Sequence, residues 1–262
     1  MKLNILFTFI LIALGLQEAT ASADSLSLQA DSAYLRGEYD KAAALYQQQI
    51  ATNGTSAALY YNLGNSHYRM GKPAKAVIDY ERALRIDPSM KEARSNLEFV
   101  NSKLIDKKGY EGSFMSRTFN DITSLLSSNA WAWLAFTLFA LTIIGAALYL
   151  FSSGIVIRKA GFFGGGLTLF CCIVSIVMAV NAYKIATTRS VAVVISSSSI
   201  LSTSPRAPQN RSEEAMLLHE GARVNILDSI SSPTDSLKTV WYDVSFDNEH
   251  RAWINSADVE II

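Results

Sequence analysis

The chain has 262 residues, of which 18% are charged and 50% hydrophobic, and its formal net charge at pH 7 is +0. This balance points away from nucleic acids and acidic polymers as partners, because both are bound through an excess of one charge. The length permits two small soluble domains and a membrane portion. Hydropathy is uneven along the chain, since no charged residue lies between Asp121 and Arg158.

Residues 1–23 have the pattern of a secretory signal peptide. Lys2 precedes an apolar run over residues 3–16, and Ala21-Ser22-Ala23 offers a small-residue cleavage site. An uncleaved anchor helix is the alternative interpretation. No cysteine follows the apolar run, so a lipoprotein anchor is not indicated.

Residues 24–108 contain an internal repeat. The clearest copy spans residues 57–89 and predicts two helices separated by a turn at Gly71, where glycine easily supplies a positive φ. The repeat length indicates a solenoid of paired helices. One period before Tyr68, Gly71, Ala76 and Tyr80 the chain has Tyr34, Gly37, Ala42 and Tyr46, and one period after Leu63 it has Leu97.

The repeat resembles the tetratricopeptide repeat (TPR). The residues that carry the family signature are Tyr60, Leu63, Gly64, Ala76, Tyr80, Ala83 and Pro88. The first copy departs from the family, with Gln29-Ala30 where Leu-Gly is expected and Gly54 where proline is expected. A single helix from Met90 to about residue 107 is predicted to cap the array, giving two and a half repeats.

The resemblance implies a protein-binding groove lined by the first helix of each repeat. Its residues are Tyr61, Asn62, Asn65, Tyr68, Arg69 and Asn96. Asparagine amides can pair with the backbone of an extended peptide, and tyrosines add apolar contact. Some family members clamp a carboxylate with such asparagines and with lysines, but the lysines are missing here. The alternative is that Asn62 and Asn65 only pack the helices together.

Residues 109–128 are predicted to be a linker, followed by transmembrane helices over residues 129–151 and 161–183. Arg158-Lys159 is predicted to form a short basic loop between them. Gly161 and Gly165 have the G-x-x-x-G spacing that permits close helix packing. The alternative is that glycine is simply common in membrane spans. The chain has two cysteines, Cys171 and Cys172, and both lie in the second span, where thiols are inert.

Residues 190–262 predict a small β domain. Five short strands are expected at residues 191–195, 223–227, 239–246, 252–254 and 259–262, with a serine-rich loop over residues 196–212. Gly221, Trp241 and the run Ala252-Trp253-Ile254 make the segment similar to bacterial SH3-like domains. That resemblance implies a small all-β barrel.

No catalytic constellation is found, so the sequence predicts a protein that is not an enzyme and that has no cofactor. His67 is expected to pack on a repeat helix or to face solvent. His219 and His250 are expected at strand ends without the acidic partners that a metal site needs. Phosphate-binding glycine loops and nucleophile elbows are missing from the sequence.

The order of signal peptide, repeats, two spans and SH3-like barrel is similar to that of the BatE-type proteins of the Bacteroides aerotolerance operons. The resemblance implies a scaffold of the bacterial inner membrane, with both soluble domains in the periplasm. Its implied partners are Bat proteins with von Willebrand factor A (VWA) domains and a MoxR-type ATPase. An envelope sensor that binds peptidoglycan through the SH3-like domain is the alternative.

Overall fold

The computed structural model of the chain describes residues 26–106, 114–188, 190–231, 239–247 and 250–262. The predicted signal peptide and residues 109–113 of the predicted linker lie outside the described residues. The described residues divide into two compact units. One comprises residues 26–84, 90–106 and 190–262, and the other comprises residues 85–89 and 114–188.

The repeat segment forms the helical pairs that the sequence period predicts. The glycines Gly37 and Gly71 have φ of 81° and 71° and lie in the turns that follow the first helix of each pair. These values belong to the left-handed region, which glycine adopts without steric cost. The helices are α1 (residues 26–35), α2 (Tyr39–Asn53), α3 (Ala57–Arg69), α4 (Pro73–Ile86) and α5 (Lys91–Lys103).

The helices of the second repeat cross at Gly64, which packs directly on the ring of Tyr80. A Cβ atom added to Gly64 would lie 2.8 Å from Cε1 of Tyr80. Tyr80 is 1% exposed, so its ring has little room to move away. The glycine is therefore required by the helix crossing rather than by a backbone turn.

The β domain is one antiparallel sheet of seven strands, two more than predicted. The strands are β1 (Val191–Val194), β2 (Ser198–Ser202), β3 (Glu214–His219), β4 (Arg223–Ser231), β5 (Val240–Ser245), β6 (Arg251–Asn255) and β7 (Val259–Ile261). Their order is β3-β2-β6-β5-β4-β1-β7. The pairings of the described residues do not join β3 to β7, so the predicted closed barrel is not confirmed.

The predicted serine-rich loop over residues 196–212 is wrong in part, because β2 lies within it. The buried serines Ser199 and Ser202 are compatible with a strand because the hydroxyl group of each has a hydrogen-bond partner. The hydroxyl of Ser199 donates to Oδ2 of Asp258 at 2.8 Å, and Ser202 is paired with Trp253 across the β2–β6 ladder. Ile200 and Leu201 alternate between solvent and the core. Serine content alone therefore did not identify a loop.

Strand β1 is buried on both faces and joins the sheet to the repeats. Ala192 and Val194 belong to the core of the sheet. Val191 and Val193 instead belong to a cluster that includes Val77 of α4 and Val100 of α5. The β1–β7 side of the sheet thus covers apolar sides of α4 and α5, as a further helix would in a longer repeat array.

Two ion pairs border this apolar contact. Nη2 of Arg82 lies 2.9 Å from Oε1 of Glu260 and also donates to the carbonyl oxygen of Ile261. Nη1 of Arg223 lies 3.0 Å from Oε1 of Glu81. Partly exposed pairs of this kind add little stability, so the apolar cluster is the main source of the attachment.

The other unit contains helices α6 (Phe114–Thr123), α7 (Ser128–Phe151) and α8 (Ile155–Thr187). The predicted linker over residues 109–128 therefore includes a helix. The prediction of a basic loop at Arg158-Lys159 is wrong, because both residues lie in α8 and the turn is at residues 152–154. Nε of Arg158 donates to the carbonyl oxygen of Tyr149 at 3.2 Å, and so satisfies a carbonyl group near the end of α7.

Helices α7 and α8 are long and apolar enough to cross a membrane. They pack closely at Gly145, Gly161 and Gly165. A Cβ atom on Gly145 would lie 2.8 Å from Cα of Gly165, and one on Gly161 would lie 2.6 Å from the oxygen of Gly145. The predicted G-x-x-x-G contact is thus present within the hairpin. Gly164 and Gly166 face open space.

Candidate protein-binding face of the repeats

The structure brings together two of the predicted groove asparagines, Asn65 of α3 and Asn96 of α5. Oδ1 of Asn65 accepts hydrogen bonds from Nδ2 of Asn96 at 2.9 Å and from the hydroxyl of Tyr80 at 2.7 Å. Nδ2 of Asn96 also lies 3.5 Å from the hydroxyl of Tyr61. Asn65 therefore has a structural role, since its oxygen ties α3 to α4 and α5. Its amino group is the part of the side chain that can donate to a ligand.

Asn62 and Asn65 line a cavity of about 210 Å³ together with Asp31, Tyr34, Leu35 and Tyr46. Oδ1 of Asp31 accepts a hydrogen bond from the hydroxyl of Tyr46 at 2.6 Å. Burial raises the pKa of Tyr46, and the bond to Asp31 adds to the effect. The cavity therefore offers a carboxylate acceptor beside amide donors.

Asp31 is not among the predicted groove residues, although the repeat period identifies it. Asp31 lies one period before Asn65, and Phe99 lies one period after it. The side chain of Phe99 is 51% exposed and that of Leu35 is 85% exposed. We call the side of the array that carries Asp31, Asn62, Asn65 and Phe99 the helix-A face, because these residues belong to α1, α3 and α5.

Tyr68 and Arg69 extend the helix-A face toward the end of α3. Tyr68 meets Phe99 edge to face, with ring centroids 5.8 Å apart. The guanidinium of Arg69 stacks 4.5 Å above the ring of Tyr39. Arg69 is nevertheless exposed, so its N–H groups can reach a ligand. Whether these six predicted residues bind a partner stays a prediction.

Most of the positions that carry the repeat signature are buried between the helices. Leu63, Gly64, Ala76, Tyr80 and Ala83 are buried, and burial raises the pKa of Tyr80. Tyr60 is half-buried, with the guanidinium of Arg82 5.9 Å from its ring. Pro88 lies in the turn after α4.

His67 is buried and paired, which resolves the two alternatives in favour of packing. Its Nδ1 lies 2.6 Å from Oδ2 of Asp79, and the two side chains are 7% and 4% exposed. Burial raises the pKa of Asp79, while the contact with His67 acts in the opposite direction. One histidine and one aspartate cannot hold a metal ion without further ligands, so we assign the pair a structural role.

Each of the other two histidines lies beside one carboxylate, which is fewer ligands than a metal site needs. Nδ1 of His219 lies 3.1 Å from Oδ2 of Asp106, and Nδ1 of His250 lies 2.7 Å from Oδ2 of Asp247. The described part of the chain contains no group of three or more side chains that could hold a metal ion.

Paired helices that share a groove define this part of the chain as a protein-interaction module. This segment contains tetratricopeptide repeats. The family model "Tetratricopeptide repeat" matches residues 57–90, and the family model "TPR repeat" matches residues 30–71. TPR families are non-catalytic modules that bind proteins.

A curated protein, "Protein SGT1 homolog" of Oryza sativa subsp. japonica, is 36% identical over 75 residues. The match covers 29% of this chain and 20% of that protein. This chain therefore spans about a fifth of the relative's length, and the likeness does not establish a common function.

Proposed function

We propose that this chain is a membrane-anchored scaffold that holds an extended segment of a partner protein on the helix-A face of its repeats. The observation that carries the proposal is the position of the sheet. Val191 and Val193 of β1 cover apolar sides of α4 and α5, whereas Asn62, Phe99 and Leu35 of the helix-A face remain accessible. The repeats therefore keep one open recognition surface.

The chemistry of the helix-A face suits a peptide. Amide groups such as that of Asn62 can bond to backbone N–H and C=O groups of an extended segment. Phe99 and Leu35 supply apolar contact, and Arg69 adds a cation at one end. A surface of this mixed composition holds a chain by its backbone and selects it by a few side chains.

The hairpin of α7 and α8 supplies the anchor. Two crossings place the segments before and after the hairpin on the same side of the membrane. The shared core of Val77, Val100, Val193 and Ile262 supports that arrangement, because these residues come from both segments. With an exported N-terminus the common side is the periplasm of a bacterial inner membrane, as in BatE-type proteins.

By the same resemblance, the partners are VWA-domain Bat proteins and a MoxR-type ATPase system, in an envelope complex that supports aerotolerance. The alternative, in which the sheet binds peptidoglycan, is less favoured because few aromatic side chains of the sheet are accessible to a ligand. Trp241 is only 6% exposed, which leaves Trp253 as the accessible tryptophan of the pair.

Co-purification of the full-length chain with a co-expressed VWA-domain Bat protein tests the proposal. The test variant is Asn62→Ala with Arg69→Ala, and the matched control is Gln48→Ala with Lys75→Ala, two exposed positions on α2 and α4. Asn65 is unsuitable because it bonds to Tyr80.

Each lost hydrogen bond is worth roughly 0.5–1.5 kcal/mol, and more where a charge takes part. The double change on the helix-A face should thus weaken binding about tenfold or more, since about 1.4 kcal/mol is one decade. Equal affinity of the test and control variants would exclude the helix-A face and direct attention to the sheet around Trp253.

Reporter fusions test the membrane arrangement. A fusion after Lys108 and a fusion after Ile262 should both report export, and a reporter inserted at Ser153, in the turn between α7 and α8, should report the cytoplasm. Opposite signals from the first two fusions would contradict two crossings.

A further inference from the structure

Helix α6 carries an apolar face that none of the described residues covers. Met115, Phe119 and Ile122 are 77%, 36% and 41% exposed. At about 100° per residue these three positions fall within about 60° of the helix circumference. Leu125, just beyond the helix, is 64% exposed. The helix is therefore amphipathic, with the exposed polar residue Asn120 on its opposite side.

The C-terminal end of α6 is fixed to the hairpin by the side chain of Thr123, which is 1% exposed. Nδ2 of Asn181 donates to Oγ1 of Thr123 at 3.1 Å, and the same oxygen lies 3.3 Å from Sδ of Met178. Nε1 of Trp131 donates to the carbonyl oxygen of Thr123 at 3.0 Å. These contacts hold α6 beside the beginning of α7 and the last third of α8.

This position is where a membrane-spanning hairpin meets the headgroup layer. Trp131 and Trp133 lie in the first turns of α7, and tryptophans concentrate at the boundary between water and hydrocarbon. Side chains farther along α7 and α8, such as Phe136 and Phe170, are exposed apolar groups of the kind that face lipid. The apolar face of α6 thus continues the apolar surface of the hairpin.

We propose that α6 lies in the interfacial layer of the bilayer, with Met115, Phe119 and Ile122 inserted among the lipid acyl chains. The inference rests on the proposed membrane insertion of α7 and α8. Amphipathic helices of this type insert their apolar face about 5–10 Å into the boundary between headgroups and acyl chains. Lipid is favoured over a protein partner because the face adjoins the lipid-facing surface and is held there by Thr123.

The test places a fluorophore on single cysteines of the full-length chain, in a Cys171→Ser, Cys172→Ser background reconstituted in phosphatidylcholine nanodiscs. Labels at Phe119→Cys and Ile122→Cys probe the apolar face. A label at Asn120→Cys is the matched control on the polar side, and one at Leu141→Cys reports the insertion of α7. Quenching is measured with aqueous iodide and with lipids that carry a nitroxide near the headgroup or deep in the acyl chain.

We expect the labels at positions 119 and 122 to be quenched by the shallow nitroxide and protected from iodide, and the label at 120 to show the reverse. Quenching of positions 119, 120 and 122 by iodide to the same extent would overturn the proposal. Protection of 119 and 122 from both iodide and nitroxide would also overturn it, because a protein would then cover the face. A label at 141 that escapes the deep nitroxide would refute the membrane insertion itself.

Discussion

Replacing Val193 should detach the sheet from the repeats while leaving the sheet folded. Val193 is 0% exposed and packs with Val77 and Val100, whereas its neighbour Val194 packs within the sheet. Val193→Ala removes two methyl groups, each worth about 0.8 kcal/mol, or about 1.6 kcal/mol in total before any cavity term. That loss corresponds to an increase of about 15-fold in the opening equilibrium of the contact.

Amide hydrogen exchange of the full-length chain in detergent micelles measures this effect segment by segment. With Val193→Ala, peptides from α4 and from β1 should exchange faster, while peptides from β5 and β6 should keep their wild-type rates. Val193→Asp should accelerate exchange in the same peptides of α4 and β1 by more than about a hundredfold, because an unpaired buried charge costs several kcal/mol.

Val194→Ala is the matched control, since it removes the same atoms from the opposite face of β1. It should accelerate exchange in β5 and β6 as well. Identical exchange patterns for the two alanine variants would refute the assignment of the two faces of β1, and unchanged exchange in α4 with Val193→Ala would refute the shared core.

Two further predictions concern the packing of the repeats, and thermal melting of the full-length chain measures both. Gly64→Ala should lower the melting temperature, because overpacking against Tyr80 costs about 1–3 kcal/mol and outweighs the gain of about 1 kcal/mol in helix propensity. Gly164→Ala is the control and should not lower the melting temperature, because a Cβ atom there meets open space. Burial raises the pKa of Asp79, so the stability that this carboxyl contributes is present at low pH and is lost as the pH rises through the raised value. The melting temperature of Asp79→Asn relative to wild type should therefore increase from pH 4 to pH 8, and a difference independent of pH would contradict the burial of a charged carboxylate beside His67.

Sequence analysis was most successful where structure is local and periodic. The repeat period located the turns at Gly37 and Gly71, and the same period would have identified Asp31 had it been applied to Asn65. A long run without charges located both apolar helices, because length and hydropathy are sufficient for that purpose. The ends of α8 were missed, since Arg158 and Lys159 continue the helix and no residue between 155 and 161 breaks it.

Features that depend on distant contacts could not be predicted in the same way. The hydroxyl group of Ser199 in β2 donates a hydrogen bond to Asp258, which lies 59 residues away and has no local sign in the sequence. Asn65 appears in the sequence as a ligand-binding residue, but Tyr80 and Asn96 show that its oxygen serves the fold. Strand β1 is buried on both faces, and the sequence indicates this only by a run of four apolar residues. That run does not reveal which residues each face contacts.

The shared core also means that the apolar sides of α4 and α5 cannot be covered until the C-terminal segment of the chain has been made. Val77 and Val100 emerge from the ribosome long before Val193 and Ile262, and both apolar helices are made in between. Until β1 and the end of the chain have been made, the repeats retain an uncovered hydrophobic surface of the kind that chaperones and proteases recognise. If α7 and α8 cross a membrane as proposed, a chain in which only one of them inserts would hold the two segments on opposite sides and leave that surface exposed.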